Sequence, residues 1–89
     1  MKSVWVTRDS NDTYKIYKEE PFIVKKTDGT YIFECSGSDI YGGKSTYLTP
    51  YEREKYHIED INVNEIANID ISDEAYHNLF RSYDLYYDD

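Results

Sequence analysis

The sequence predicts an α+β fold, in which a small antiparallel sheet of four to five strands packs against an amphipathic helix near the C-terminus. Three observations predict it. Segments rich in β-branched and aromatic residues fill the first 35 positions, turn-forming residues separate them, and a helical periodicity follows Ser72. At 89 residues the chain can hold one hydrophobic core, so we expect a single domain over 1–89.

Two hairpins are predicted in the first 35 residues. The first joins residues 3–8 to 13–18 through a polar turn. The second follows Pro21 and joins residues 22–26 to 30–35 through Asp28-Gly29, a pair that favours tight hairpin turns. We expect both hairpins to belong to the sheet.

The middle of the chain combines a loop with a short helix. Residues 36–45 contain three glycines and are expected to form the most mobile candidate site, with Tyr41 available for contacts. Thr49, Pro50 and Glu52 then match a capping box, with proline in the first helical position. A helix over 50–56 is the prediction.

A strand and a helix are predicted in the final third. Isoleucines separated by polar residues between 58 and 71 indicate that part of this stretch is a strand with a solvated face. From Ser72, an N-cap residue, a helix is expected to pack Tyr76, Leu79, Phe80 and Tyr83 on the sheet. Residues 84–89 either extend that helix or form a flexible acidic tail.

Composition indicates the cellular compartment in which the protein is expected. Cys35 is the only cysteine, so no intramolecular disulfide can form, which favours a reducing compartment. No apolar stretch approaches the roughly 18 residues of a membrane span, and the N-terminus has no secretory signal pattern. We therefore expect a cytoplasmic protein without a membrane anchor, and we expect no cofactor or metal.

The charges are strongly segregated along the chain. Residues 1–58 hold nine acidic and nine basic side chains, whereas residues 59–89 hold nine acidic ones against Arg81 alone. The formal net charge of −8 therefore arises entirely in the final third. Such a surface repels nucleic acids and anionic membranes and attracts basic protein grooves.

This pattern yields a set of candidate partner-binding residues. The ordinary interpretation of an acidic run is a solvated surface that keeps the protein in solution, and Asp73 and Glu74 also suit a helix N-terminus. The functional interpretation assigns carboxylates within 59–74 to electrostatic steering, with exposed tyrosines supplying short-range contacts. The predicted set is Glu59, Asp60, Glu65, Asp70, Asp73, Glu74, Tyr41, Tyr86 and Tyr87.

Catalytic motifs are weak. The segment 38–45 ends in Gly-Lys-Ser like a phosphate-binding loop, but serine replaces its first glycine and the residues after it are β-prone. Cys35 could pair with His57 or His77 as nucleophile and base, although a structural thiol is the simpler interpretation. We expect the protein not to be an enzyme, and a small enzyme using Cys35 or His57 remains a third hypothesis.

The N-terminal residues carry one resemblance. Trp5-Val6-x-Arg8-Asp9, followed by Tyr14-x-Ile16-Tyr17 and Pro21, resembles the start of short uncharacterised proteins of phages and mobile elements. The resemblance covers about the first quarter of the chain and implies no chemistry, but it favours phage-type functions.

Two binding hypotheses follow. The first is an acidic inhibitor of the anti-CRISPR or anti-restriction class, which blocks a surface of a host defence protein or imitates DNA in its basic nucleic-acid channel. The partner would be a basic protein surface in the host cytoplasm, with no direct contact to nucleic acid or membrane. The second is a non-enzymatic structural or adaptor protein that acts by sheet-edge pairing or homodimerisation.

Overall fold

A computed structural model describes residues 1–35 and 45–80. The described elements are β1 Lys2–Arg8, β2 Tyr14–Tyr17, β3 Pro21–Lys25, β4 Tyr31–Cys35, β5 Ser45–Leu48, α1 Pro50–Lys55, β6 Glu65–Ile71 and α2 Asp73–Leu79. They form an α+β arrangement based on antiparallel strands, as predicted. Tyr41, Tyr83, Tyr86 and Tyr87, most of the 36–45 loop and the proposed 84–89 tail lie outside the described residues.

The main sheet has four antiparallel strands in the order β5-β2-β1-β6. The predicted first hairpin supplies its centre, where Val6 lies opposite Ile16 on one side and Ala67 on the other. The Asp9 carboxylate stabilises the hairpin turn by accepting hydrogen bonds from the backbone N–H groups of Asn11 and Thr13, at 2.9 and 3.0 Å.

The second hairpin forms where it was predicted but does not join that sheet. Strands β3 and β4 make a separate two-stranded ribbon, so the expectation of one sheet containing both hairpins is wrong. In the ribbon turn, Gly29 adopts a φ of 89°, and Asp28 accepts hydrogen bonds from Thr30. Local turn chemistry specifies the hairpin, whereas its place in the fold depends on contacts that are distant in sequence.

The core lies on one face of the four-stranded sheet, which we call the core face. Its buried side chains come from the sheet, from the segment after α1 and from α2: Val4, Val6, Tyr14, Ile16, Leu48, Ile58, Ile71, Ala75, Leu79 and Phe80. The predicted helical stripe is confirmed for Leu79 and Phe80, and Tyr76 packs against the core while remaining half-buried. The opposite face of the sheet, which we call the ribbon face, buries Thr7 and Tyr17.

Both helices begin at the caps that the sequence predicts. Thr49 and Glu52 form the reciprocal capping box of α1, and Ser72 accepts a hydrogen bond from the Ala75 N–H at 3.0 Å in α2. The strand predicted for part of residues 58–71 is confirmed over Glu65–Ile71, and Asn64 adopts a positive φ of 64° just before it. No helix among the described residues has the length and apolar character needed to cross a bilayer.

Candidate protein-binding groove

The segment that leaves α1 is folded back along strand β6. His57 has a φ of 58° and donates its backbone N–H to Glu54, while Ile58 donates to Arg53 at 2.9 Å. This pair of bonds is the Schellman arrangement that ends many helices, usually with glycine in the left-handed position. A histidine there costs on the order of 1 kcal/mol of backbone strain relative to glycine. The turn inserts Ile58 into the core and leaves His57 exposed.

Arg53 fixes the path of this segment. Its guanidinium lies 3.9 Å from the centre of the Tyr14 ring and donates a hydrogen bond to the Asp60 carboxylate at 2.9 Å. The Tyr14 hydroxyl in turn accepts from the Ile61 N–H at 3.3 Å. Residues 58–61 are therefore held against the sheet by a stacked cation and by hydrogen bonds to two elements.

Two adjoining cavities open between this segment, strand β6 and the start of α2. Their volumes are about 260 and 540 Å³, and they share Tyr56, His57, Asp70 and Ile71. We call them together the acidic groove. The remaining lining residues are Val6, Ile58, Glu59, Asp60, Ile61, Ala67 and Ile69 in one cavity and Met1, Lys55, Ser72, Glu74 and Ala75 in the other.

The groove combines an apolar floor with an acidic rim. Val6 and Ile71 are buried beneath it, and Ala67 and Ile69 are half-buried. Four of the six predicted carboxylate residues, Glu59, Asp60, Asp70 and Glu74, contribute to the lining. A surface of this kind suits a partner segment that carries both cationic and apolar side chains.

The predicted carboxylates differ in how they are engaged. Asp60 pairs with Arg53, and Asp73 lies 3.3 Å from the N-terminal amine. Glu59, Asp70 and Glu74 form no ion pair within the described parts of the chain. Lys55 and the N-terminal residue Met1 also line the groove, so its negative character depends on the carboxylates of Glu59 and Glu74.

Glu65 does not belong to the groove. It starts β6 at the end opposite to α2 and lies across from Arg8. Its carboxylate accepts a hydrogen bond from the Asn62 N–H at 3.0 Å, which stabilises the turn before the strand. Asp70 lines both cavities as a residue of β6, but its register opposite Ser3 puts its side chain on the ribbon-face side of that strand, so its carboxylate does not belong to the acidic rim.

The sequence patterns missed the residues that shape the groove. The predicted partner-binding set does not include Tyr56 and His57, since only the three-dimensional turn after α1 brings them beside β6. The alternation of Ala67, Ile69 and Ile71 could have identified the floor, because every second residue of a strand shares one face.

The residues considered for catalysis lie on separate elements. Cys35 ends β4 in the ribbon and is half-buried, His57 lies in the groove, and His77 is exposed on α2. The residues that follow Gly42-Gly43-Lys44 form strand β5, as their β-prone composition predicted, and not the helix that a phosphate-binding loop requires. Within residues 1–35 and 45–80, no group of three histidine, cysteine or acidic side chains is arranged to hold a metal ion.

No protein-family model, curated protein or solved structure matches the chain.

Proposed function

We propose that the protein is a non-enzymatic binding protein that uses the acidic groove to attach to a basic protein surface. The observation that carries the proposal is the juxtaposition of an apolar floor with the carboxylates of Glu59 and Glu74, which form no ion pair within residues 1–35 and 45–80. Both glutamates are exposed, so they can be desolvated by a partner without first breaking an internal ion pair.

Long-range and short-range forces would act in sequence. The net charge of −8 steers the protein towards a cationic surface, an effect that weakens as salt shortens the screening length. Once the groove is seated, burial of Ile69 and Tyr56 against apolar parts of the partner would slow dissociation.

The partner class that fits this surface is a nucleic-acid-binding protein of host defence, as in anti-CRISPR or anti-restriction inhibitors. A Lys/Arg-lined channel offers cations at high density, and occupation of it by carboxylates competes with the phosphate backbone. The internal pairing of Asp60 and Asp73 favours recognition by a local groove over imitation of DNA by a regular row of charges.

The test is a binding assay against purified CRISPR effector complexes and restriction endonucleases. Affinity should fall steeply between low and high salt, and duplex DNA should compete for the same site. The double variant Glu59→Gln/Glu74→Gln should weaken binding by at least about tenfold. The matched control Glu20→Gln/Glu34→Gln removes two exposed carboxylates outside the groove and should change affinity by less than about twofold. Equal losses in the two variants, or salt-independent affinity, would contradict the proposal.

A second candidate function rests on strand β6. It is seven residues long, forms one edge of the sheet, and has no strand on its outer side within the described residues. An open edge of this length can pair with a strand of another chain or with its own copy. Light scattering after size exclusion distinguishes the two functions. A stable dimer that also forms in the Glu59→Gln/Glu74→Gln variant would favour edge pairing, and a monomer favours the groove.

A further inference from the structure

A cleft on the ribbon face has the opposite chemistry to the acidic groove. It lies between the four-stranded sheet and the β3–β4 ribbon and has a volume of about 330 Å³. We call it the ribbon cleft. Lys15, Tyr17 and Tyr47 line it from the sheet, and Lys26, Tyr31 and Phe33 line it from the ribbon. This size is typical of sites for small organic ligands.

Two ammonium groups at the cleft have no carboxylate partner in the part of the chain that the structure describes. Neither Lys15 nor Lys26 forms an ion pair within residues 1–35 and 45–80. The Lys15 ammonium lies 5.5 Å from the centre of the Tyr17 ring and 5.1 Å from that of Tyr47, so the two rings help to position the cation. Two lysines that line one cleft and form no ion pair within the described residues provide positive charge for an anionic ligand.

One lining carboxylate could compete for these cations. Asp9 contributes to the cleft, but its Oδ1 atom accepts hydrogen bonds from the backbone N–H groups of Asn11 and Thr13. The backbone N–H groups of the β1–β2 turn thus partly neutralise its charge, and no ion pair joins it to Lys15 or Lys26 within the described residues.

The Tyr17 hydroxyl is a second, independent observation. Tyr17 is only 2% exposed, and its hydroxyl has no hydrogen-bond partner among the described residues. Burial raises the pKa of the Tyr17 phenol, and the nearby Thr7 side chain opposes that rise in part without a hydrogen bond of regular geometry. The group is therefore a protonated donor at neutral pH. A buried polar atom without a partner is costly, and because this hydroxyl is closed to solvent, a ligand acceptor satisfies it only when the ribbon shifts to admit the ligand.

The cleft also offers aromatic surfaces. Tyr47 on the sheet is 64% exposed and Tyr31 on the ribbon is 37% exposed. Covering large aromatic rings such as these with a ligand is favourable. Phe33 adds a half-buried apolar surface beside them. A planar ring can stack against such side chains while an attached anionic group reaches the lysines.

We propose that the ribbon cleft binds a small molecule in which an aromatic ring carries a phosphate or carboxylate group. The anion is neutralised by Lys15 and Lys26 and accepts a hydrogen bond from the Tyr17 hydroxyl, and the ring packs on Tyr31 and Tyr47. Polymeric nucleic acid is the less suitable occupant, because the net charge of the protein repels a long phosphate backbone.

The test is an NMR titration of the ¹⁵N-labelled protein with phenyl phosphate. Saturable amide shifts are expected at Thr7, Lys15, Tyr31 and Tyr47, and benzyl alcohol and inorganic phosphate should each bind at least about tenfold more weakly. Shifts centred outside the cleft, or none at millimolar concentrations of phenyl phosphate, would overturn the proposal. Equal binding of inorganic phosphate would also overturn it, since the ring would then contribute nothing. A parallel titration with benzoate tells carboxylate from phosphate recognition.

Variants assign the roles of individual groups. Lys15→Met keeps the aliphatic stem between the two rings and should weaken phenyl phosphate binding at least about fivefold, and Tyr17→Phe should weaken it by about three- to tenfold. The matched control Lys55→Met removes one ammonium on the groove side and should leave affinity within about twofold. If Lys15→Met unfolds, Lys26→Met serves instead, because Lys26 is exposed in the ribbon turn. Equal losses in the lysine variant and the Lys55→Met control would contradict a local site.

Discussion

The two faces of the four-stranded sheet are closed in different ways, and the difference separates the charges of the molecule. On the core face, α2 and the segment after α1 cover Val4, Val6 and Ile16 completely, and the space that remains lies at the outer strand and has an acidic rim. On the ribbon face, a two-stranded ribbon leaves a cleft lined by two lysines, which form no ion pair within the described residues, and by the tyrosine whose hydroxyl is buried. The comparison teaches that an N-terminal part with equal numbers of acidic and basic side chains and an acidic C-terminal part can form two distinct surfaces of opposite charge.

The largest expected effect compares two phenylalanines, one from each side. Phe80 is 0% exposed in the core, whereas Phe22 on the ribbon is 44% exposed. Phe80→Ala should lower the free energy of unfolding by about 3–5 kcal/mol, while Phe22→Ala should lower it by less than about 1 kcal/mol. Urea unfolding measures both. Similar losses for the two variants would show that the ribbon contributes to the core, contrary to the structure.

A smaller effect compares the caps of the two helices on the core face. Ser72→Ala should lower global stability by about 1 kcal/mol, because α2 buries Ala75 and Leu79 and cannot fray without exposing the core. Helix α1 buries no residue, so Thr49→Ala should mainly increase amide exchange within 50–56. A larger loss in the free energy of unfolding for Thr49→Ala than for Ser72→Ala would contradict the roles assigned to the two helices.

The smallest effect is local to the ribbon. The pKa of Asp28 lies below its ordinary value because the Thr30 hydroxyl and backbone N–H donate to the carboxylate. The stabilisation from this carboxylate is therefore present above about pH 4 and is lost as pH falls through the lowered pKa. Carboxyl NMR titration should show a low midpoint for Asp28 that rises in Thr30→Val. An unchanged midpoint in that variant would mean that the hydroxyl does not cause the shift.

Features that depend on neighbouring residues could be predicted from the sequence. The capping box at Thr49, the Asp28-Gly29 turn and the stripe of Leu79 and Phe80 each require only residues within a few positions of one another. All three are present in the structure. Such signals arise from backbone geometry and helix periodicity, which are independent of the rest of the fold.

Features that depend on distant contacts could not be predicted. No local sequence signal places the ribbon outside the sheet. The residues around His57 likewise do not indicate that it adopts a left-handed backbone conformation. The sequence pattern gives six acidic candidates the same steering role, yet Glu65 stabilises a turn at the far end of β6, and Asp60 and Asp73 are paired internally. Charge counts along a chain do not show which carboxylates are already occupied by cations.

The most direct test of two oppositely charged surfaces is amide NMR mapping with a cationic peptide. An extended peptide of alternating lysine and leucine should shift amides within 56–61 and 69–75, leave those of the ribbon cleft unchanged, and bind more tightly than a lysine and serine peptide of equal charge. Shifts spread evenly over exposed acids such as Glu20 and Glu34, with equal affinity for the two peptides, would show that the protein attracts cations only through its net charge, contrary to this account.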